Sequence, residues 1–354
     1  MLPLTYDECR ALFRRAALAA GAVLDAYPIE ARGPNGQELT IDVAIAGEPD
    51  GPGVLVVLSG VHGIEGFAPS AIQCELLGRS LPPATKVVAV HAVNPWGMAW
   101  WRRQNENNVD LNRNWSRDAH RPPANSGYEE LHPLLVPGGH ELPSADAFLD
   151  AIAPFREQHG IAWIRDAVSR GQYTHPDGLY FGGAGLEAST QILRSVAKAH
   201  LAGAEVVLTV DLHTGHGKFG TFTLLSHVPS GTDGDRWLRR WFDDDHIEVT
   251  AGNPDATSAT RVGQLAKGMA DVLTDTDYHD VTFELGTVGN TRMILAERAE
   301  HWVHRHGDRD EPVHAAAIWE HRVCSTPDDP EWERLALEHG RRVLDQALTA
   351  VARS

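Results

Sequence analysis

"VLVVLSGVHGIEGFAPSAIQ", residues 54–73, changes character within a few positions. Its first part is an unbroken run of valine and leucine, the composition of a strand covered on both faces. The run stops at Ser59-Gly60, and "APSAIQCELLGRSL" then has helical spacing. Strand, glycine-rich turn and helix together make the repeating unit of an α/β sheet. Polar residues in such a turn stand outside the carboxyl end of a strand, where open α/β sheets collect ligands. This turn holds His62 and Glu65. A histidine and a glutamate in a loop are ordinarily just solvated, so the pair needs support from elsewhere in the chain.

The same alternation continues on both sides. Strand-like runs are expected at 39–47, 54–60, 86–95, 204–215, 221–228, 247–252 and 280–287. Helical spacing marks 186–202, "GDRWLRRWFDD" and the tail from "DPEWERLALEHG". "TYDECRALFRRAALAAGAVLDAY" reads as one soluble amphipathic helix, with Thr5 and Glu8 as a capping box. Its apolar part is short and carries Asp25, so it is not read as a signal peptide. The expected fold is α/β: a mixed, mostly parallel central sheet with helices on both faces. A single domain is expected over residues 1–354, with a long insertion at about 116–185, where Pro, Gly, His and Asn are frequent.

Composition narrows the partners. Apolar residues make up 42% of the 354 residues and charged ones 22%, a globular balance. Asp and Glu number 48 against 31 Lys and Arg, a net charge of -17. Such a surface repels phosphate backbones and anionic lipids, so neither nucleic acid nor a membrane is an expected partner. No apolar run approaches the roughly 18 residues a membrane span needs. The three cysteines, Cys9, Cys74 and Cys324, are widely spaced and form no C-x-x-C pair. That argues against a disulfide framework or a thiolate zinc site, and a reducing, cytoplasmic setting is expected.

Four expected strand ends carry polar residues. His62 and Glu65 follow the first; "NPWGMAWWRRQNENNVDLNRNW" follows "VVAVHAV"; "DLHTGHG", with His213, follows "AEVVLTV"; Glu284 lies in "FELGT". Two histidines and one glutamate form an established catalytic zinc set. A further carboxylate is then needed to move a proton, and Glu284, alone in an apolar strand, is the candidate general base. Arg102 or Arg103 could stabilise an oxyanion. Asn112 and Arg113 could grip a substrate carboxylate, or merely cap a turn. Glu284 could equally be one half of a buried salt bridge. Asp211 could orient a ligand or cap its turn, and His216 is read as solvated. His120, His132, His140 and His175 share no ligand spacing and are read as surface or rim residues rather than a second metal site.

"HGIE", "NPWG…WRRQNENNVDLNRNW", "DLHTG" and "FELGT" in this order resemble the zinc carboxypeptidase (M14) superfamily. Within it the chain is most similar to the bacterial DUF2817 family, which "GQYTHPDGLYFGG" (171–183) and "AERAEHWVHRHG" (296–307) also resemble. "VHGIEG", "DLNRNW" and "DLHT" are similar to the aspartoacylase and succinylglutamate desuccinylase branch as well. The resemblance implies a carboxypeptidase-like fold and one Zn²⁺ ion on His62, Glu65 and His213. It also implies Glu284 as general base and Asn112 with Arg113 on the substrate carboxylate. The activity implied is hydrolysis of an amide bond beside a carboxylate-bearing residue, in a small peptide or an acyl-amino acid. A deacylase, an esterase or a non-catalytic binding protein on the same fold are the rivals. The mobile tyrosine of the classical carboxypeptidases has no counterpart at its usual place. Tyr278 lies too near Glu284, and the role is not carried over. The sequence leaves the oligomeric state open.

Overall fold

Thr5 opens the first helix as expected: its side chain accepts from Glu8 N, and Glu8 accepts in return from Thr5 N, both at 3.2 Å. The computed structural model describes residues 2–115, 123–251, 253, 256 and 261–353. The start of the expected insertion, 116–122 with His120, lies outside the described residues. In chain order the elements begin with α1 (Tyr6–Ala19), β1 (Val23–Arg32), β2 (Glu38–Gly47), β3 (Gly53–Ser59), α2 (Phe67–Leu77), β4 (Thr85–His91) and α3 (Pro95–Trp100). Then come α4 (Ser126–Leu135), α5 (Ala145–Ser169), α6 (Ala188–His200), β5 (Val206–Thr214), β6 (Phe222–Ser226), α7 (Asp233–Trp241) and β7 (Ile247–Val249). The chain ends with α8 (Leu265–Met269), β8 (Asp277–Leu285), α9 (Asn290–His306), α10 (Pro312–Ser325) and α11 (Pro330–Arg353).

The eight strands form one sheet in the order β1-β2-β4-β3-β5-β8-β6-β7. The four central strands, β4, β3, β5 and β8, run parallel, and antiparallel pairs begin on either side of them. The fold is therefore the mixed, mostly parallel α/β sheet that the valine-rich runs imply. β3 shows why both faces are dry. Leu55 and Val57 enter one core with Ile72 of α2 and Trp332 and Val343 of α11. Val54, Val56 and Leu58 enter the other with Leu193 of α6 and Met269 of α8. Side chains alternate along a strand, so an unbroken apolar run feeds two cores.

β4 follows β3 on one side and β5 flanks it on the other. The order of strands therefore reverses direction at β3, and a crevice opens beyond the carboxyl ends of β3 and β5.

Two expectations need correction. Residues Val23 to Tyr27 belong to the edge strand β1, antiparallel to β2, and not to the first helix. Gly21, at φ +68°, ends the helical path in a conformation that suits glycine. The strand expected over 86–95 stops at His91, because Asn94 caps α3 through Gly97 N at 2.8 Å and Pro95 starts the helix. Within the segment 116–185, α5 covers the stretch "ADAFLDAIAPFREQHG", and α4 and α5 bury Tyr128, Leu131 and Phe148 with Leu179 and Tyr180 in a core of their own. Ile294 and Leu295 of α9 pack against that core.

Candidate metal centre

His62 and Glu65 lie in the turn after β3, which is tied to the segment that follows β4 and α3. Gly63 N donates to Arg103 O at 3.3 Å and Ile64 N to Arg102 O at 2.9 Å. A Cβ on Gly63 would come within 2.1 Å of the Gly97 carbonyl carbon, so only glycine allows this approach. His213 is near the end of β5. Strands β3 and β5 are adjacent and parallel, which brings the two segments to one point.

There the three side chains meet. His62 Nδ1 is 2.9 Å from Glu65 Oε1; His213 Nδ1 is 3.0 Å from Glu65 Oε2 and 3.1 Å from His62 Nδ1. All three residues are buried. Their ligand atoms lie mutually within 4.8 Å, so the separation that would have ruled out joint coordination does not occur. Each ring has a carboxylate at its other nitrogen: Asp110 Oδ1 is 3.3 Å from His62 Nε2 and Asp211 Oδ2 is 2.8 Å from His213 Nε2. Nδ1 of each ring faces Glu65, and with both of these nitrogens deprotonated the site would present two lone pairs and a carboxylate to one point. Two nitrogen lone pairs and a carboxylate aimed at one point repel each other unless a cation lies between them. The donor set is that of zinc.

The electrostatics agree. Burial would raise the Glu65 carboxyl, but His62 and His213 hold it well below the usual carboxylate range. Burial would lower the His213 imidazole; Asp211 and Glu65 outweigh it and push it up to about 10. The pocket is built to stabilise positive charge.

Adjacent arginines diverge. Arg103 Nη1 is 3.2 Å from Glu65 Oε1, and its Nη2 shares the outer edge of His62 at 2.8 Å. Nε and Nη2 both donate to Asp110 Oδ2 at 3.1 Å, and the guanidinium lies 5.0 Å from the centre of the Tyr180 ring. Arg102 turns away. It is fully buried, with Nε 3.1 Å from Glu300 Oε1 and Nη2 3.0 Å from His301 Nδ1, both on α9. Of the two arginines considered for the oxyanion, only Arg103 stands beside the candidate ligands His62 and Glu65.

Glu284 is the register partner of His213 across β5 and β8, so both side chains project from the same face of the sheet. It is buried, and Arg261 Nη1 lies 3.5 Å from its Oε1. Asn112 and Arg113 are buried in a single turn whose first residue, Asp110, accepts from Asn112 N at 2.9 Å. Asn112 Oδ1 accepts from Leu265 N at 3.1 Å, and among the described residues its enclosed Nδ2 has no hydrogen-bond partner. Arg113 is bonded mainly to the backbone. Nε and Nη2 donate to Ser169 O, Nη1 to Asn112 O, and its ability to donate is spent largely on the protein backbone. Burial, reinforced by Arg261 and Arg103, lowers it to about 10 despite Asp110.

Tyr278 is far from this chemistry, with its hydroxyl donating to Thr209 Oγ1 at 3.0 Å and to Ala266 O. His140 is exposed. His132 and His175, with Asp177, do come together, which their spacing does not suggest. Their rings stack at 3.8 Å with an angle of 17° between planes, and His175 Nε2 is 2.6 Å from Glu129. Lone pairs in nearly parallel, stacked planes do not converge on one ion. Arg261, Asp110, Glu297 and Tyr180 are the site residues missed in the sequence. Asp110 opens the "DLNRNW" motif and was legible there; the others carry no local signal.

Three solved structures show the level of likeness to known proteins. Thrombin activatable fibrinolysis inhibitor is 11% identical, with a TM-score of 0.42 over 90% of this chain and 74% of its own. A succinylglutamate desuccinylase from a Silicibacter species is 14% identical, with a TM-score of 0.39 over 81% and 67%. The ectoine utilization protein EutE from Ruegeria pomeroyi is 13% identical, with a TM-score of 0.40 over 80% and 67%. No curated protein sequence matches the chain. Residues 3–339 match the family model described as a protein of unknown function, DUF2817, and the chain belongs to that family.

Proposed function

We propose that the protein is a zinc-dependent hydrolase of amide bonds next to a carboxylate-bearing residue, acting on a small peptide or an acyl-amino acid. The observation that carries this reading is the convergence of His62, Glu65 and His213, with Glu284 in register beside His213. The three would hold one zinc ion. A zinc ion there would acidify a water molecule towards a pKa of roughly 7 and polarise the scissile carbonyl.

The chain's own residues supply the rest. Glu284 takes a proton from the attacking water at a carboxylate oxygen and delivers it to the leaving nitrogen, which cannot depart as an anion. Arg103 donates to the carbonyl oxygen as it becomes negative; it stays charged because Asp110, Glu297 and Tyr180 outweigh the effect of burial. Asn112 turns its free Nδ2 to the substrate carboxylate. Asp110 and Asp211 orient the two imidazoles. The free Cys9, Cys74 and Cys324 suit a reducing cytoplasm. Among the described residues no helix is long and apolar enough to cross a membrane.

The test is turnover of peptides and N-acyl amino acids with and without chelator, in wild type and in Glu284→Gln. Chelation and the substitution should each abolish hydrolysis while the variant keeps its metal. Undiminished turnover in Glu284→Gln would remove the mechanism, and a metal-free, chelator-indifferent protein would favour a binding role. The panel itself decides between peptidase and deacylase.

A further inference from the structure

The substrate's anionic group needs a donor with hydrogen bonds to spare, and Arg113 has few. Arg261 has the opposite character. Its side chain is only 11% exposed, yet among the described residues its enclosed Nε and Nη1 have no hydrogen-bond partner. Among the described residues its ion-pair partner is Glu284, at 3.5 Å, too long for a good hydrogen bond. A buried guanidinium left this way is costly, because charge taken out of water needs a paired, hydrogen-bonded counterion.

The backbone leading from Arg261 is firmly held. Val262 N donates to Arg170 O at 3.3 Å, Gly263 O accepts from Trp115 N at 2.9 Å, and Leu265 N bonds Asn112 Oδ1. Gly263 has φ +69°, and a Cβ there would come within 2.2 Å of the Arg113 carbonyl oxygen. The segment is thus pressed onto the Asn112–Arg113 turn, and Arg261 projects from it towards Glu284. The charge of Arg261 is felt at both Arg113 and His227, where Lys267 also acts. In a chain of net charge -17, Arg113, Arg261 and Lys267 thus gather around His227, and Arg261 is the one of them that lies beside Glu284.

We infer that Arg261 is the direct anchor for the substrate's carboxylate, paired through its fork of N–H donors, while Arg113 contributes charge from behind. A carboxylate fits Arg261 because its two oxygens match two guanidinium N–H groups. Arg261 is then a specificity-determining residue of the proposed hydrolase, and the inference rests on that reading for the identity of the reacting group alone.

Two measurements test it together. Steady-state hydrolysis of N-acyl dipeptides with a free C-terminal carboxylate is compared with that of the matching carboxamides, in wild type, Arg261→Gln and Arg261→Lys. Binding of succinate and of succinamide to the same three metal-loaded proteins is measured by calorimetry. Arg261→Gln should raise KM for the carboxylate substrate about 10- to 100-fold, the worth of a charged hydrogen bond, and weaken succinate by a similar factor. The carboxamide and succinamide should change little, and Arg261→Lys should restore part of the loss. A fall in kcat that is equal for both substrates would overturn the proposal, since Arg261 would then act on Glu284. Unchanged KM and succinate affinity would overturn it too. If wild type hydrolyses neither substrate but succinate binding still depends on Arg261, the amidase reading fails and the anchor stands.

Discussion

Arg102 and Arg103 are neighbours in the chain, yet one guanidinium lies 3.1 Å from Glu300 on α9 and the other 3.2 Å from Glu65 of the candidate metal site. Just before them, Trp101 closes α3 in a left-handed conformation at φ +57°. Substitution should separate the two functions. Arg103→Ala is expected to lower kcat by about 100- to 1,000-fold, the usual loss for one oxyanion donor, with the protein still folded. Arg102→Ala strands Glu300 in the interior and should cost about 3 kcal/mol of stability, with turnover per folded molecule little changed. Thermal denaturation alongside steady-state kinetics distinguishes them, and a kcat loss confined to Arg102→Ala would reverse the assignment.

Elemental analysis of the purified protein should find close to one zinc per chain. His213→Ala should lose it, and removing the metal from wild type should lower Tm, because the ion stabilises only the folded arrangement of ligands from β3 and β5. Equal Tm values with and without metal would mean that the three side chains do not grip an ion.

Asp110 and Asp211 each stand at the outer nitrogen of one ligand histidine. Asp211→Asn is expected to weaken zinc about 10- to 100-fold in competition with a chromophoric chelator, without loss of fold. Asp110→Asn should weaken zinc similarly and also disturb Arg103, so its kcat should fall further than that of Asp211→Asn.

His91 gives a pH signature unconnected with catalysis. It is fully buried, stacked 4.9 Å from Phe13, and neither ring nitrogen has a hydrogen-bond partner among the described residues. Burial lowers it to about 4, although Asp42 works the other way. An unfolded histidine titrates near 6.5. The folded group is therefore the weaker base, so its contribution to stability is complete above about pH 6.5 and is lost as pH falls through about 4. His91→Leu should remove that slope. Relative to its effect at pH 7.5, the substitution should gain about 3 kcal/mol at pH 4, read from urea unfolding at both pH values. A constant difference across that range would show that His91 does not titrate with folding.

What the sequence discloses and what it withholds divide along physical lines. Runs such as "VLVVLSG" and "AEVVLTV" declare buried strands because composition and length are local properties, and the turn glycines that follow them mark the strand ends. The positions of His62, Glu65, His213 and Glu284 at those ends follow from the same reading. β1 was hidden because an edge strand with half-exposed residues lacks the alternation that marks one. The choice between Arg102 and Arg103 depends on Glu300 and His301, which engage Arg102 from far along the chain. Arg261, Glu297 and Tyr180 reach the site through packing between distant segments. Glu297, for example, accepts from Tyr180 Oη at 2.8 Å only because α9 lies against the helical segment built from α4 and α5. No spacing rule records such contacts.

The pairing of His213 with Glu284 along β5 and β8 is written in main-chain hydrogen bonds, not in any bond between the two side chains. Deleting one residue early in β8 would shift that ladder by a step and turn the glutamate to the other side of the sheet. The crevice would keep its three candidate ligands and lose the carboxylate proposed to carry the proton. Loading and turnover are thus separable by a change of phase in one strand, and a relative with an odd-numbered gap there would be a metal-binding protein with no chemistry to perform.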